Sequence, residues 1–400
     1  MRIGMMTDVY KPHISGITNY ISLNKRFLEK EGHQVFIFTF SDEDYQDDES
    51  NVIRSPGLPL LDTGYFFNIN YRREARALLR TMDVVHVHHP FLSGSLALRY
   101  CRPRGIPIVF TNHTRYDLYA KAYLPGIPET ISETALAAYL PSFCRACNMV
   151  ISPSPSVKTI LQNIGVTVPI EIVPNGVDLQ PFEAKIEPLN RASMGFSEND
   201  ILLVYTGRLS PEKNLSFLIR SFAGVAKAYK NLGLLLVGDG PERDNLTDLV
   251  DHLGMSSKVK FFGMVPYEDI RRYLATGDIY ATASITEVHP LSVIEAMAVG
   301  LPVLGIKSPG VGDIVQDGVN GYLAEDEDLA AFTAIMVKMV TEHEVRRQMK
   351  KSARERAESY SIIKTSKMMI EKYQEVINQS LEKRRSFRIR LRRILDKWER

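Results

Sequence analysis

The sequence predicts an α/β protein made of two doubly wound domains, each a parallel sheet covered by helices. Short apolar runs rich in β-branched residues alternate with segments of helical period along the whole chain, as in parallel strands joined by crossover helices. The length of 400 residues suits two domains of about 100–200 residues each. Between residues 174 and 200 this alternation lapses into a segment punctuated by prolines and Asn175-Gly176, which marks the domain boundary.

Predicted strands lie on both sides of this boundary. In the first half they are Ile3–Met6, Val35–Phe40, Val84–Val87, Ile108–Phe110 and Met149–Ile151. In the second half they are Ile201–Tyr205, Leu234–Val237, Val259–Phe262, Ile279–Thr282 and Pro302–Gly305. A helix over Ile17–Lys30 has its apolar residues mostly on one face and is followed by Gly32, a typical helix stop. Ligands of such sheets bind beyond the carboxyl ends of the strands, so two facing sheets are expected to enclose a cleft.

Composition and charge exclude several classes of protein. The formal charge of +2 argues against a general affinity for nucleic acid, although residues 381–400 alone carry +6 and the other 380 residues sum to −4. Three cysteines provide no disulfide framework, and the opening MRIGMMTDVY is typical of a buried strand rather than of a secretory leader. We therefore expect a cytoplasmic protein. Without an apolar run near the ~20 residues of a membrane span, any membrane contact is expected to be peripheral.

Two loops that follow predicted strands carry features of a phosphate site. The segment YTGRLSPEKN places Gly207 directly after a strand, with Arg208 and Lys213 close behind it. Arginine can bond two phosphate oxygens and lysine adds a point charge, so this pair suits a diphosphate. The segment VGDGPE follows the next strand, and its Gly238 permits close approach of the backbone to a ligand. Either loop alone is common among α/β proteins.

A pair of glutamates forms the strongest single signal. Glu287 lies in the loop after Ile279–Thr282, and Glu295 falls eight residues later in a helix predicted to begin near Pro290. Two carboxylates so placed can bond sugar hydroxyls at two points, and the helix terminus offers free backbone N–H groups to an anion.

These segments together resemble family 4 of the retaining GT-B glycosyltransferases. The resemblance rests on the glutamate pair, on AMAVGLPVL behind it, and on TGRLSPEKN, VGDGPE and VPNGVD, and it spans essentially the whole chain in the same order. It implies a GT-B fold, with two Rossmann-like domains facing a central cleft, and a nucleoside diphosphate sugar as donor without a metal ion. The lapse at the boundary predicts domains over 1–174 and 175–361, and the charge of 381–400 predicts a basic amphipathic tail. By family analogy, helices at 362–380 return to the first domain.

The resemblance also implies roles for individual residues. Arg208 and Lys213 would hold the donor diphosphate and stabilise the leaving group, Glu287 would bond hydroxyls of the transferred sugar, and Glu295 would bond the ribose. His113 matches a family histidine beside the transferred sugar. Further positions expected in donor binding are Gly16, Gly207, Gly238, Val265, His289, Leu291 and Ser292.

Two segments depart from the family pattern. Ser15 stands where many relatives have a second glycine before Gly16, and Val288-His289-Pro290-Leu291 replaces a Phe-Gly or similar pair after the first glutamate. Because Pro290 has no backbone N–H, the amides that face the donor are expected to differ. The side chain of His289 is either a substrate contact or a polar loop residue.

The acceptor side indicates a lipid. The segment VHVHHPFLSG and the spacing of Tyr116, Tyr119 and Tyr123 resemble acceptor-side segments of glycosyltransferases that act on diacylglycerol. Arg72, Arg73 and Arg76 form a basic helical face that suits an anionic membrane surface. In the tail, apolar residues including Phe387, Leu391 and Trp398 share one face of an otherwise basic helix, which either binds such a surface or packs on the protein itself.

The sequence-based function is the transfer of a hexose, with glucose from UDP-glucose favoured, to a membrane lipid such as diacylglycerol. The alternatives are a GDP-mannose-dependent lipid mannosyltransferase, a transferase with a soluble or polysaccharide acceptor, a sugar-nucleotide epimerase, and a catalytically silent nucleotide-sugar-binding partner. The expected location is the cytoplasm, either free or peripheral on the inner face of the cell membrane. His86, His88 and His89 invite a metal interpretation, but no acidic or cysteine partners stand near them in the sequence.

Overall fold

The computed structural model describes residues 1–13, 15–41, 45–60, 65–116, 129–183 and 185–398, with the side chains of 129–137 and 387–398 outside the description. The chain divides into two compact units. Unit 1 comprises Met1–Asn175 with Ile362–Arg400, and unit 2 comprises Gly176–Ser361. This division falls one residue from the boundary expected from the sequence.

Unit 1 is built on a seven-stranded parallel sheet in the order β3-β2-β1-β6-β7-β8-β9. Its strands are β1 Arg2–Met6, β2 Gln34–Ser41, β3 Val52–Pro56, β6 Val84–Val87, β7 Ile108–Thr111, β8 Met149–Ser152 and β9 Ile170–Ile172, with a separate antiparallel hairpin of β4 Leu58–Pro59 and β5 Phe66–Phe67. Its helices before the boundary are α1 Gly16–Lys30, α2 Arg73–Leu79, α3 Leu92–Tyr100, α4 Glu129–Ala146 and α5 Pro155–Asn163. The strand order reverses between β1 and β6.

Unit 2 carries a six-stranded parallel sheet in the order β12-β11-β10-β13-β14-β15. The strands are β10 Ile201–Thr206, β11 Leu232–Val237, β12 Val259–Phe261, β13 Ile279–Ala281, β14 Val303–Ile306 and β15 Gly321–Ala324. The helices are α6 Gln180–Glu183, α7 Leu215–Ala228, α8 Arg243–His252, α9 Tyr267–Thr276, α10 Leu291–Ala298, α11 Pro309–Ile314, α12 Leu329–Thr341 and α13 His343–Ala357. Here the order reverses between β10 and β13.

Both faces of the unit 2 sheet are buried. Leu203 and Tyr205 belong to one apolar cluster and Leu202 and Val204 to another, so successive residues of β10 enter opposite layers. A strand has a side-chain period of two, and a parallel sheet with helices on both faces therefore needs apolar residues at every position. This burial explains the continuous apolar runs of the sequence, and the predicted α/β class with two Rossmann-like domains is confirmed.

The last helix, α14, spans Ile362–Trp398 and belongs to unit 1. Met369, Tyr373 and Val376 enter the core of the first sheet, and the Tyr373 hydroxyl lies 2.6 Å from His86 Nδ1. The helix continues unbroken into the basic segment, where Arg384 Nη2 donates to the Arg104 carbonyl at 2.6 Å. The start of the basic tail therefore touches its own domain. Across the part of the chain that the structure describes, no helix combines the length and apolarity that crossing a bilayer requires.

Candidate active site

The point where the strand order of unit 2 reverses brings two cations and a glutamate to one edge of the sheet. Lys213 ends the 3-10 turn Pro211–Lys213 after β10, and Glu287 lies in the loop after β13. Lys213 Nζ contacts Glu287 Oε1 at 2.6 Å, and both side chains are mostly buried. Because β10 and β13 are neighbours, the loops beyond their carboxyl ends flank a crevice, the usual ligand position in such sheets.

Arg208 lies in the loop that leads from β10 to Lys213. The Tyr205 hydroxyl donates to the Arg208 carbonyl at 3.0 Å, which holds the backbone of the loop. The guanidinium is exposed, and within the described residues no side chain or carbonyl is hydrogen-bonded to it. An exposed guanidinium in the same loop as Lys213 leaves positive charge available for an anionic ligand.

Glycines let the loops after β10, β11 and β12 lie against one another. Gly238 has a φ of 138°, and its N–H donates to the Gly263 carbonyl at 2.8 Å. A Cβ at Gly238 would lie 1.9 Å from the Gly207 oxygen, and one at Gly240 would lie 2.3 Å from the Leu209 oxygen. No L side chain fits at such distances, so glycine is required at both positions and the loops pack backbone against backbone there.

Glu295 lies in α10 and is bonded within the same site. Its carboxylate accepts a hydrogen bond of 2.7 Å from the Tyr267 hydroxyl, and only 6% of its surface is exposed. Burial raises the pKa of Glu295, while the bond from Tyr267 lowers it. Tyr267 is 53% exposed at the start of α9 and was not singled out from the sequence, since a tyrosine 28 residues away carries no local signal. Leu291 and Ser292, both half-buried, form the first turn of α10 and present its backbone N–H groups.

The side chain of His289 points into unit 2. The ring is 5% exposed and packs edge-on against Tyr360 at 5.1 Å between centroids. Burial, followed by the nearby Arg356 charge, lowers the pKa of His289 to about 3, so the imidazole is neutral at physiological pH. This placement favours a packing role for the ring over direct contact with a sugar. Val265, in the loop before α9, is half-buried.

In unit 1, His113 follows β7 and meets a second histidine. His113 Nε2 lies 3.0 Å from His88 Nδ1, and the ring of Tyr20 lies edge-on to His113 at 4.8 Å. Burial is the main cause that holds the pKa of both histidines well below the ordinary value, so both are neutral. His88 Nε2 is buried without a hydrogen-bond partner among the described residues. His88 was considered from the sequence only as a metal ligand, and no group of metal-binding side chains is found in the described ranges.

The reversal point of unit 1 is also polar. The Asp8 carboxylate accepts the N–H of Ser93 at 2.7 Å and that of Leu92 at 3.3 Å at the start of α3, while His89 Nδ1 lies 3.1 Å from Thr7 Oγ1. Asp8 belongs to no motif in the sequence, and its position behind β1 places it at the carboxyl edge of the sheet.

Gly16 begins α1 and is exposed, and a Cβ there would meet no atom within 4 Å. The preceding Ser15, which departs from the family glycine, closes a capping box: its Oγ accepts the Thr18 N–H, and the Thr18 hydroxyl oxygen accepts the Ser15 N–H at 2.7 Å. Ser15 thus stabilises the start of the helix, which explains a polar residue at this position.

The residues expected to contact an acceptor or a membrane differ in their exposure to solvent. Tyr116 is buried against the ring of Phe91, at 5.5 Å between centroids. Arg72 and Arg73 are exposed at the start of α2, and Arg76 is half-buried. The remaining positions lie outside the described structure, in full or for their side chains: Tyr119, Phe387, Leu391 and Trp398.

Comparison with known proteins accounts for most of the chain. Residues 14–181 match the model of glycosyltransferase family 4, and residues 187–356 match that of glycosyl transferases group 1. The alpha-monoglucosyldiacylglycerol synthase of Streptococcus pneumoniae is 32% identical over 347 residues, which cover 82% of this chain and 77% of that protein. The enzyme of the same name from Acholeplasma laidlawii is 28% identical, with 82% and 86% covered.

A solved structure gives the same fold. The sucrose-phosphate synthase of Thermosynechococcus elongatus superposes with a TM-score of 0.78 at 19% identity, covering 94% of this chain and 99% of that one. The two matched models follow one another along the chain in the order of the two units. The chain therefore belongs to the GT-B glycosyltransferases of family 4, with a group 1 glycosyltransferase domain as its second half.

Proposed function

We propose that this glycosyltransferase moves glucose from UDP-glucose to the free hydroxyl of diacylglycerol, with retention of anomeric configuration. The observation that carries the proposal is the contact of Lys213 with Glu287, at the reversal point of unit 2. At this point a cation that can bind a diphosphate is hydrogen-bonded to a carboxylate that can bind sugar hydroxyls. The glucosyl and lipid assignments are supported by the two monoglucosyldiacylglycerol synthases among the relatives.

In the proposed reaction, the bond between the anomeric carbon and the β-phosphate oxygen breaks while the acceptor oxygen bonds that carbon on the same face. The acceptor proton passes to the departing phosphate oxygen. Negative charge grows on the β-phosphate as the bond breaks, and Arg208 and Lys213 would stabilise it electrostatically. These two cations supply the neutralisation, so we propose that no metal ion takes part. Glu287 would bond hydroxyls of the glucose, Glu295 those of the ribose, and His113 would line the sugar site from unit 1.

The membrane lipid acceptor implies a peripheral position on the inner face of the cell membrane. Arg72 and Arg73 are exposed in unit 1, and residues 381–400 carry a net charge of +6. Each basic residue near an anionic surface contributes about 1 kcal/mol of attraction. The proposal therefore places unit 1 against the bilayer that holds the acceptor.

The test is incubation of the purified chain with labelled UDP-glucose and diacylglycerol vesicles. A new labelled glycolipid is expected, and its anomer reports retention. A rearranged free nucleotide sugar would show an epimerase, and donor binding without turnover would show a silent partner. UDP-galactose, GDP-mannose and inositol-type acceptors serve as competing substrates, and preference for one of them would overturn the donor or acceptor assignment.

The matched variants are Lys213→Ala and Lys351→Ala. Losing Lys213 is expected to lower turnover by about a hundredfold or more, the scale of a lost transition-state donor. Lys351 is exposed on α13 and pairs with Glu355 at 3.7 Å, so its loss leaves turnover unchanged. Near-normal turnover in the Lys213 variant would remove this lysine from the mechanism.

A further inference from the structure

Large apolar side chains are exposed in one short stretch of unit 1, on and beside the hairpin of β4 and β5. Leu58 is 73% exposed, Leu60 45%, Phe67 44% and Ile69 61%. Leu58 and Phe67 are direct partners in the antiparallel pair, so their side chains share one face of the hairpin. Exposed apolar residues scattered singly are ordinary, whereas a contiguous set indicates a contact surface.

Hydrogen bonds link the two sides of the hairpin beyond the pairing of β4 and β5. The Leu60 N–H donates to the Tyr65 carbonyl at 2.8 Å, and Asn68 Nδ2 donates to the Pro56 carbonyl at 2.5 Å. The exposed apolar face is therefore carried by two hydrogen-bonded strands.

The hairpin also lies at the functional edge of its sheet. The ring of Tyr65 stands 6.1 Å from that of His89 and 6.1 Å from that of His13, between centroids. His89 follows β6 and contacts Thr7 behind β1, which places it at the reversal point of unit 1. A molecule that reaches the hairpin face therefore arrives next to the carboxyl ends of the central strands, where α/β sheets bind their ligands.

Exposed arginines contact the apolar stretch or follow it along the chain of unit 1. Arg99 Nη1 donates to the Ile69 carbonyl at 3.3 Å and to Asn70 Oδ1 at 3.0 Å. The chain continues from the hairpin into the exposed Arg72 and Arg73, with Glu74 as the acidic residue of that turn. Further exposed arginines stand in the 3-10 turn behind α3 and at the contact with α14, and these are Arg102, Arg104 and Arg384.

We propose that the apolar face of β4 and β5, with the arginines near it, enters an anionic bilayer and delivers the lipid acceptor to the His89 edge of unit 1. The inference rests on the proposed lipid acceptor and adds the surface and route by which the acceptor is reached. Exposed apolar and aromatic side chains with arginines beside them match the bilayer interface, where the apolar groups enter the acyl region and the guanidinium groups meet lipid phosphates. The start of the basic segment of α14 belongs to the same unit as the hairpin, since Arg384 donates to the Arg104 carbonyl.

The first experiment measures sedimentation of the full chain with vesicles of phosphatidylcholine, alone or with an equal part of phosphatidylglycerol. The double variant Leu58→Ser with Phe67→Ser is expected to bind the mixed vesicles about tenfold or more weakly, since two exposed apolar side chains no longer enter the bilayer. Matched controls are Ile363→Ser, 52% exposed on α14, and Leu329→Ser, 46% exposed at the start of α12. Both should bind as the unaltered chain does, with equal thermal melting for all variants.

Unchanged vesicle binding by the hairpin variant would overturn the proposal. So would a concentration-dependent dimer that the two serines abolish while vesicle binding persists, because the hairpin would then contact a second copy of the chain.

The second experiment separates the delivery of the acceptor from the chemistry. The same double variant should lose transfer to diacylglycerol in vesicles by about tenfold or more, in parallel with its binding, yet retain transfer to short-chain diacylglycerol dispersed in detergent. An equal loss with the dispersed acceptor would overturn the delivery role. Failure of the unaltered chain to glycosylate diacylglycerol in either form would instead refute the proposed function, and vesicle sedimentation would still decide whether the hairpin binds the bilayer.

Discussion

Because the ring of His289 is buried and neutral, we expect unit 2 to lose stability in mild acid. One substitution at this position should remove that dependence on pH. In the folded protein, burial and then Arg356 lower the pKa of this histidine from 6.5 to about 3. As the pH falls below 6.5, the imidazole of His289 therefore binds a proton in the unfolded chain but stays unprotonated in the folded chain. The neutral ring makes its full contribution to the free energy of unfolding above pH 6.5. This contribution is lost progressively as the pH falls towards 3.

The magnitude follows from the width of that window. Each pH unit below 6.5 costs about 1.4 kcal/mol of the free energy of unfolding, so the loss reaches about 2 kcal/mol at pH 5. His289→Gln should lower the stability of unit 2 by a constant amount at every pH, because the packing on Tyr360 is lost, but it should lack this pH-dependent part. Carboxylates titrate equally in both proteins, and the difference between their slopes isolates the histidine.

Hydrogen exchange with mass spectrometry measures this difference for peptides of unit 2 alone, between pH 7.5 and pH 5. The control is His252→Gln, an exposed histidine at the end of α8, whose slope should match that of the unaltered chain. Parallel loss of stability in the unaltered chain and in the His289 variant would refute the buried, neutral ring.

Three further predictions concern function. His88→Asn keeps an amide donor near the Nδ1 position that contacts His113 and should retain most turnover. His88→Phe should lower turnover about tenfold, the effect of one hydrogen bond, and equal activities of the two variants would show that the contact does not matter. Tyr267→Phe should raise the KM for the donor about tenfold with turnover kept, because Glu295 loses its hydrogen bond, and an unchanged KM would exclude Tyr267 from donor binding. Deleting residues 381–400 should weaken binding to anionic vesicles and leave donor hydrolysis intact, and unaltered sedimentation would deny the tail a membrane role.

The glycine loops of unit 2 show how far local signals in the sequence reach. Gly207 and Gly238 were expected to leave the backbone without a side chain in the loops after two strands. At both glycines φ is positive and a Cβ would lie too close to neighbouring atoms. Such features follow from short-range chemistry: a glycine where φ is positive, an apolar run where a strand is buried on both faces, a cap before a helix. The fold class was therefore predictable from the order of these signals along the chain.

The hairpin and the histidine pair show where local signals stop. Leu58 and Phe67 have the same apolar composition as buried strand residues, and only the folded domain leaves them outside. His113 was expected in the site from family resemblance, whereas its contact with His88 depends on β6 and β7 being neighbours in the sheet.

The sequence by itself determined the two α/β domains, the glycine loops and the residue types of the candidate site, because periodicity and turn chemistry act over a few residues. Tertiary structure alone decided which of those residues meet. Lys213 and Glu287 are 74 residues apart, and His86 and Tyr373 are 287 apart. Their contacts depend on the strand order and on the return of α14 to the first sheet. Those arrangements arise from burial of whole sheet faces, a collective property that no short segment encodes.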